Sequence, residues 1–562
     1  MRKTAFRFLL ATAAFACSQT GFAQSHDSHA PAGPPDTLAG WAKGAQLFDG
    51  LGTYHRRITT RSRLAQKYFD QGMRFVWAFN HDEATRSFAK AAQIDPTCAS
   101  CYWGVALTLG PNYNMPMMSS PRARVGWEAV RKAEANARRA TPVERALIAA
   151  VGKRYRGTGE VDPSNSKPLL TAYVAAMRVV AEKYPNDLDA QTMYAEGLMN
   201  TNPWKLWNAD GSANPGTELI LDKLRYVLGK DPHHPGANHY YIHAVEASEH
   251  PEQAVASAEV LEGMMPAAGH LEHMPAHILQ RVGRYEEAAE ANRKGAAADL
   301  AYLKKTAAPD YYPMYIIHNF QFLAAAAGME GRRGETIQAL RDTRQHMPDA
   351  MLLAMPGLDW SASFLYNGLV KFGMWDGMLS ETAPNPQLTG ATINYLQSRA
   401  TALAATGKID EAKAELAKAE KLIGATPADA TQGNNVAKPL YDIDQLKAQA
   451  RIASAEGKRD EAVRLLTAAV GLEDKLAYNE PNDMIFPTRH LLGSELLAAG
   501  KPAEAEAVFR EDLKLHPNNG WAFYGLGQAL AAQKRDADAA AAHKEFEQAW
   551  TKADVQLVAV AF

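Results

Sequence analysis

Nine of the 17 histidines of this chain lie between His233 and His318, a stretch of 86 residues in which an even spread would place about 2.6. Their spacing is regular. His239 and His273 are 34 residues apart, and so are His243 and His277. Within each pair of neighbours the step is four, which on a helix puts two imidazoles on one face and makes a clip for a metal ion. His270 and His318 lie in the same region, so six imidazoles, His239, His243, His270, His273, His277 and His318, form a candidate set converging on one centre. Imidazole suits zinc, copper, iron or nickel, and thioethers favour copper. Met264, Met265 and Met274 accompany the histidines, and Met115, Met117 and Met118 sit together upstream, so copper or zinc is the expected ion. Two other readings fit the same residues: recognition of an organic or peptide ligand, and a structural network of polar groups. Glu246 follows His243 by three residues, the spacing of helical neighbours. It fits a carboxylate ligand, a general base, a partner of a liganding imidazole or a solvated helix residue.

Other chemistries find less support. No His-Glu-x-x-His stands on these segments, and no Gly-x-Ser-x-Gly elbow, phosphate loop or dinucleotide fingerprint is present. An enzyme is therefore not the first expectation. The charge is nearly balanced, with 60 Lys+Arg against 62 Asp+Glu, which argues against nucleic acid as a partner. Three cysteines cannot make a disulfide framework. Cys98 and Cys101 form a lone Cys-x-x-Cys that fits a local disulfide, buried free thiols, a redox pair or two metal ligands. No histidine follows Cys101, so covalent haem attachment is not indicated.

The elements that must position these groups follow from a period of 34 residues. With Ala65 as position 1, Tyr68, Gly72, Phe75, Ala84, Phe88, Ala91 and Pro96 fall at positions 4, 8, 11, 20, 24, 27 and 32. This resembles the tetratricopeptide repeat, a helix pair whose apolar face only a stacked neighbour can bury. The same frame fits 486–519, through Leu492, Gly493, Ala505, Phe509 and Pro517, and then 520–553. Weaker copies begin near 99, 190, 235, 269, 317, 393 and 443. The expected fold is all-α, a right-handed superhelical solenoid of such helix pairs. Two aromatic, Gly/Pro-bearing insertions interrupt it at 110–120 and 202–216, and loops of that kind are either functional or packed caps.

In the repeat frame His239, His243, His273 and His277 take positions 5 and 9, His270 and His318 position 2, and His490 again position 5. At about 100° per residue these positions point away from the packing residues at 4, 8 and 11. Pro275 removes a backbone donor and is placed to kink the helix that carries His273 and His277.

Several stretches are similar to one family of exported bacterial tetratricopeptide-repeat proteins: Cys98-Ala-Ser-Cys-Tyr-Trp-Gly104, His234 to Glu246, His273-Met-Pro-Ala-His-Ile278, His318-Asn319, and Asn479-Glu-Pro-Asn-Asp483 with Pro487 to Gly493. Asn482 and Met484 depart from that family's pattern. The resemblance spans about 60 to 550 and implies fold and export without an established activity. It also implies that the face carrying the histidines lines a concave groove, shared by Trp103, Glu246 and His490.

The first 23 residues have the three parts of a secretory signal. Arg2, Lys3 and Arg7 precede an apolar run from Phe8 to Ala16, and Gly21-Phe22-Ala23 offers a cleavage site. A lipoprotein anchored at Cys17 is the rival reading. No later stretch reaches the roughly 18 uninterrupted apolar residues of a membrane span. The expected organisation is a signal peptide over 1–23, a flexible leading segment over 24–60, an array carrying the histidine groove over 61–345 and a C-terminal array over 346–562. The functional expectation is a periplasmic repeat protein whose groove binds a transition metal or small ligand. The alternatives are a metal-dependent enzyme acting there and a protein-interaction scaffold with a protein or peptide partner.

Overall fold

Phe88 and Phe509 show how the array is built. Each ring is wedged between glycines of two successive repeats. A Cβ on Gly72 or Gly104 would stand 2.5 Å from Phe88, and one on Gly493 or Gly525 would stand 2.2–2.3 Å from Phe509. Both rings are fully buried beside Ala84 and Ala505. The helices meet this closely only where the side chain is absent, so the Gly–Phe–Gly triplet sets the spacing of neighbouring helix pairs. The same triplet recurs at both ends of the chain, which identifies the repeat from packing as well as from sequence.

The computed structural model describes residues 33–306, 312–355, 357–558 and 560. The signal sequence expected over 1–23, with Cys17, lies outside them. The fold is an all-α helical-repeat solenoid, 67% helical. Helix pairs such as Arg63–Trp77 with His81–Ile94, Pro313–Met329 with Arg333–His346, and Gly520–Ala532 with Asp536–Ala549 follow one another along the chain. Among the described residues the only strands are Thr431–Gln432 and Asn435–Val436, a short antiparallel hairpin. No described helix is long and apolar enough to cross a membrane.

The described residues from Pro34 onward, on both sides of the 345/346 boundary, belong to one compact unit. The C-terminal repeats return to the middle of the chain. Trp521 Nε1 donates to the Gly328 carbonyl at 2.8 Å, and Asn518 Nδ2 donates to that of Gly283 at 3.3 Å. From residue 34 the leading segment is also packed rather than loose. Trp41 and Leu51 are buried. Arg56 pairs with Asp187 at 2.9 Å and with Asp189, and Thr59 donates its hydroxyl to Glu144 at 2.6 Å. These contacts join helices far apart in sequence, so the segment acts as a strap.

Candidate metal centre

The histidines sit on three helical stretches. Pro235–Val245 carries His239 and His243, with Glu246 as its C-cap. Gly269–His273 and Pro275–Arg281 carry His270, His273 and His277. Pro275 divides these two, but Met274 between them keeps helical dihedrals, so His273 and His277 still face one way. Pro313–Met329 carries His318. Gly236 lets the first of these helices press onto Trp77, whose ring would lie 2.3 Å from a Cβ at that position. That approach brings His239 to the end of the first repeat.

The groove that the family resemblance implies is closed over most of its histidines. All eleven residues of Pro235–Val245 are buried. His239 and His273 have no exposed surface, and His243, His270 and His277 have 5% or less; His318 is partly exposed. The cover comes from three distant parts of the chain. Tyr113, from the first insertion, and Trp204, from the second, each lie 5.6 Å from the His243 ring. Trp204 N–H donates to the Tyr113 hydroxyl at 3.2 Å, tying the insertions together. The third part brings Glu480 to 3.1 Å from His277 Nδ1. Below the rings, Phe79 lies 4.3 Å from His239 and stacks on His243 and His270 at 5.6 and 5.4 Å. Its backbone is left-handed, with φ of 54°, a conformation unusual for a bulky residue and associated with functional positions.

The imidazoles form two groups instead of one centre. His239, His243 and His270 can bring one ligand atom each within 4.8 Å of one another, and so can His273, His277 and His318. Six nitrogens around one ion would sit in a single such group, because ligands opposite each other are only about 4.2 Å apart at 2.1 Å bond lengths. A third group, His243, Glu246, His277 and Glu480, joins the two triads.

The outer nitrogens are held. His239 Nδ1–H donates to the Trp77 carbonyl at 2.6 Å, and His243 Nδ1–H donates to Glu246 Oε1 at 2.8 Å. His273 Nδ1–H donates to Asn292 Oδ1 at 2.6 Å, and His277 Nδ1–H donates to Glu246 Oε2 at 2.6 Å. Asn292 is itself held by donating to the Ala288 carbonyl at 2.7 Å, which fixes its oxygen toward His273. In all four rings, then, Nδ1 carries a proton and Nε2 is turned inward. A metal-binding histidine needs this arrangement, with one nitrogen anchored so that the other presents its lone pair. The inward atoms are close. His270 Nε2 is 3.2 Å from His239 Nε2, near the roughly 3.3 Å between two imidazole nitrogens on one tetrahedral ion. His273 Nε2 and His277 Nε2 are 2.7 Å apart. Among the described residues, His243 Nε2, His270 Nδ1 and Glu480 Oε1 are buried without a hydrogen-bond partner.

Protonation divides the rings in a useful way. Burial, with the neighbouring imidazoles, holds His239, His270 and His273 well below the usual histidine range. Burial and the charge on His277 bring His243 and His318 down to about 3. At neutral pH these five are neutral and able to bind metal. His277 is the exception. Burial opposes its charge, but the carboxylates of Glu480 and Glu246 outweigh burial and raise it to about 10. As an imidazolium it donates from Nε2 to His273 Nε2, which accounts for their short separation.

Three expectations need correction. Glu246 is 1% exposed and bridges His243 and His277, so it is not a solvated helix residue. Trp103 does not line this site. Every residue of its helix Ala99–Leu109 is buried, and its ring packs 6.4 Å from Phe69 in the core. His490 lies in a separate cluster with Lys371 and Asp512. Cys98 and Cys101 are joined as a disulfide at the start of the helix Ala99–Leu109. Met117 is half exposed and Met265 packs near Gly52 of the strap. Glu480, Asn292 and Phe79 belong to the site without standing in the histidine register. So does His81, a buried ring stacked 5.6 Å from Phe79 and held near 3 by burial and by Arg122 and Arg154. Glu480 had a signal, an acid within a stretch of family-like sequence; Asn292 had none.

No protein-family model matches the chain, and no curated protein does. Among solved structures it is similar to the APC/C hetero-tetramer Cut9–Hcn1, at 13% identity over 83% of this chain and 76% of that one, with a TM-score of 0.31. It is similar to yeast Tom70 at 11% identity over 87% and 93%, with a TM-score of 0.28. The human IFIT1 dimer with m7Gppp-AAAA gives 11% identity over 87% and 91%, with a TM-score of 0.30. Nothing about the site or an activity passes from such distant likenesses to this chain.

Proposed function

We propose that this protein is an exported helical-repeat protein that holds two transition-metal ions, one in each histidine triad, with copper or zinc as the ion. The observation that carries this reading is the set of four Nδ1–H bonds, to Trp77, Glu246, Asn292 and Glu246 again, that turn four Nε2 atoms inward in a buried space, three of them as lone pairs and that of His277 once its proton is released. A purely structural network would pair its polar atoms, yet His243 Nε2 and His270 Nδ1 have no partner among the described residues. Export rests on the N-terminal signal pattern alone. Fractionation of the source cells, with the mature chain beginning at Gln24, tests it.

The metal reading is tested by elemental analysis of protein purified without a histidine tag, followed by a thermal melt with added copper or zinc. Two ions per chain are expected, and each ion at 100 times its Kd stabilises the fold by about 2.7 kcal/mol. A chain that retains no metal and melts at an unchanged temperature with either ion refutes it.

A second reading, metal-dependent chemistry on a small molecule, is favoured by Glu480. Its Oε1 has no hydrogen-bond partner among the described residues. Burial and the neighbouring Glu246 raise it above the usual carboxylate range, as suits a group that moves a proton beside the ions. On this reading Glu480→Gln keeps both ions and loses turnover; a substrate screen of the loaded protein that finds no Glu480-dependent turnover removes it. An interaction-scaffold role has the helical-repeat fold behind it but makes no use of imidazoles this deeply covered.

A further inference from the structure

A second buried histidine cluster lies in the C-terminal half, and its centre is an amine. The helix Phe364–Lys371 ends with Lys371 in the wall of a small pocket that opens to solvent. Lys371 Nζ donates to His490 Nδ1 at 2.8 Å. His490 Nε2–H donates to Asp512 Oδ2 at 2.9 Å. Asp512 is fully buried, and His516 Nδ1 and Asn519 Nδ2 also donate to it, at 3.0 and 2.6 Å. The Trp521 ring lies 3.6 Å from Nζ. No carboxylate forms an ion pair with Lys371 among the described residues, although one would be the ordinary partner of a partly buried lysine. Its polar neighbour is instead an imidazole that can take a proton.

Burial holds the Lys371 amine well below the usual lysine range, and burial with the nearby Lys371 brings His490 down to about 4. An uncharged amine against apolar walls is the form in which lysine attacks carbonyl carbon. The same pocket contains Arg451, whose guanidinium lies 5.5 Å from the Trp375 ring and whose Nε has no partner among the described residues. Lys447, also in the wall, is already paired with Asp444 at 2.7 Å. Arg451 therefore remains the cation available for an anionic group.

We propose that Lys371 is the nucleophile of a carbonyl-capturing site that binds a small 2-oxo acid, with Arg451 on its carboxylate and His490–Asp512 as the proton relay. The amine nitrogen adds to the keto carbon to give a carbinolamine, and His490 Nδ1 takes the proton that the nitrogen loses. That proton passes to the former carbonyl oxygen to complete the hydroxyl, and the second nitrogen proton, carried by His490 in the same way, lets it leave as water while the C=N bond forms. One amine and one carbonyl give one imine and one water, with no change of oxidation state. Asp512 keeps His490 oriented and offsets its transient charge.

The test is reductive trapping. The full chain is incubated with glyoxylate and sodium cyanoborohydride at neutral pH, and the modified lysines are mapped by mass spectrometry. Lys371 is expected to gain the reduced adduct at least tenfold faster than exposed lysines such as Lys418 and Lys514. His490→Gln is expected to slow Lys371 at least tenfold and leave the exposed lysines unchanged. Arg451→Gln is expected to slow trapping of glyoxylate but not of acetaldehyde, which has no carboxylate. Labelling of Lys371 no faster than the surface lysines, in a chain whose circular-dichroism melt is intact, overturns the proposal. So does a rise in melting temperature with glyoxylate and no trapped adduct, which would leave plain anion binding. Equal slowing of both aldehydes by Arg451→Gln overturns the 2-oxo acid specificity. Metal content plays no part in these readouts, so they stand apart from the metal reading.

Discussion

Two clusters of the chain are built around buried histidine and treat it in opposite ways. In the N-terminal half, each of four rings spends one nitrogen on an acceptor and turns the other toward more imidazoles. In the C-terminal half, His490 spends both nitrogens, one on Asp512 and one on Lys371. Both clusters occupy the same kind of position, the first helix of a repeat, and both are buried. The difference lies in what the neighbours offer. Imidazole nitrogens turned toward one another, with one releasable proton among them, make a place for a cation, whereas a lone pair matched to an amine makes a path for a proton. Burial and residue type do not separate these two cases; the partners of each nitrogen do.

The sharpest way to break the comparison is to remove one ring from each triad. His243→Ala with His277→Ala is expected to weaken metal binding at least 100-fold at both sites, read by competition with a chelator, because loss of an outer partner alone costs 10–100-fold. His490→Ala is expected to leave the metal count at two. Metal loss in the His490 variant would erase the distinction drawn between the clusters.

Glu246→Gln comes next. It keeps the shape of the bridge but removes its charge, and 10–100-fold weaker binding is expected in the same titration. Unchanged affinity would show that the bridge between the triads is not what orients them.

The third effect is a proton count. His277, raised to about 10, is charged in the metal-free chain at pH 7, while burial keeps the other five rings neutral. Loading therefore releases about one proton, and affinity rises about tenfold per pH unit from neutral pH until it levels off near pH 10. Calorimetry in buffers of different ionisation enthalpy reads this number. Release of three or more protons would mean that the neutral rings are charged before metal arrives.

The smallest expected effect concerns the cover. Trp204→Ala removes the aromatic ring 5.6 Å from His243. The stoichiometry is expected to stay at two while loss of metal to a chelator speeds severalfold, followed by stopped-flow. An unchanged rate would assign the way in to another face.

The repeat and the pairing of His239 with His273 and His243 with His277 were legible in the sequence because a period survives in residue order. Gly72, Phe88 and Gly104, with Gly493, Phe509 and Gly525, are the packing form of that period. The closure of the groove was not legible. It depends on Tyr113, Trp204 and Glu480, which come from insertions and a loop that follow no period and meet the histidines only through tertiary packing. Trp103 was misplaced for a related reason: a helical wheel assumes that one face stays open, and Ala99–Leu109 has none. The split into two triads also escaped the sequence, since register gives the direction of a side chain and not its distance from others.

The central claim is that six clustered imidazoles, five of them buried, hold two ions. Anomalous diffraction at the metal absorption edge, from crystals of the tag-free protein, tests it most directly. The account predicts two peaks, one at about 2.0–2.2 Å from nitrogens of His239, His243 and His270 and the other at the same distance from nitrogens of His273, His277 and His318. A map with no peak among these rings, from protein exposed to copper or zinc, would contradict it.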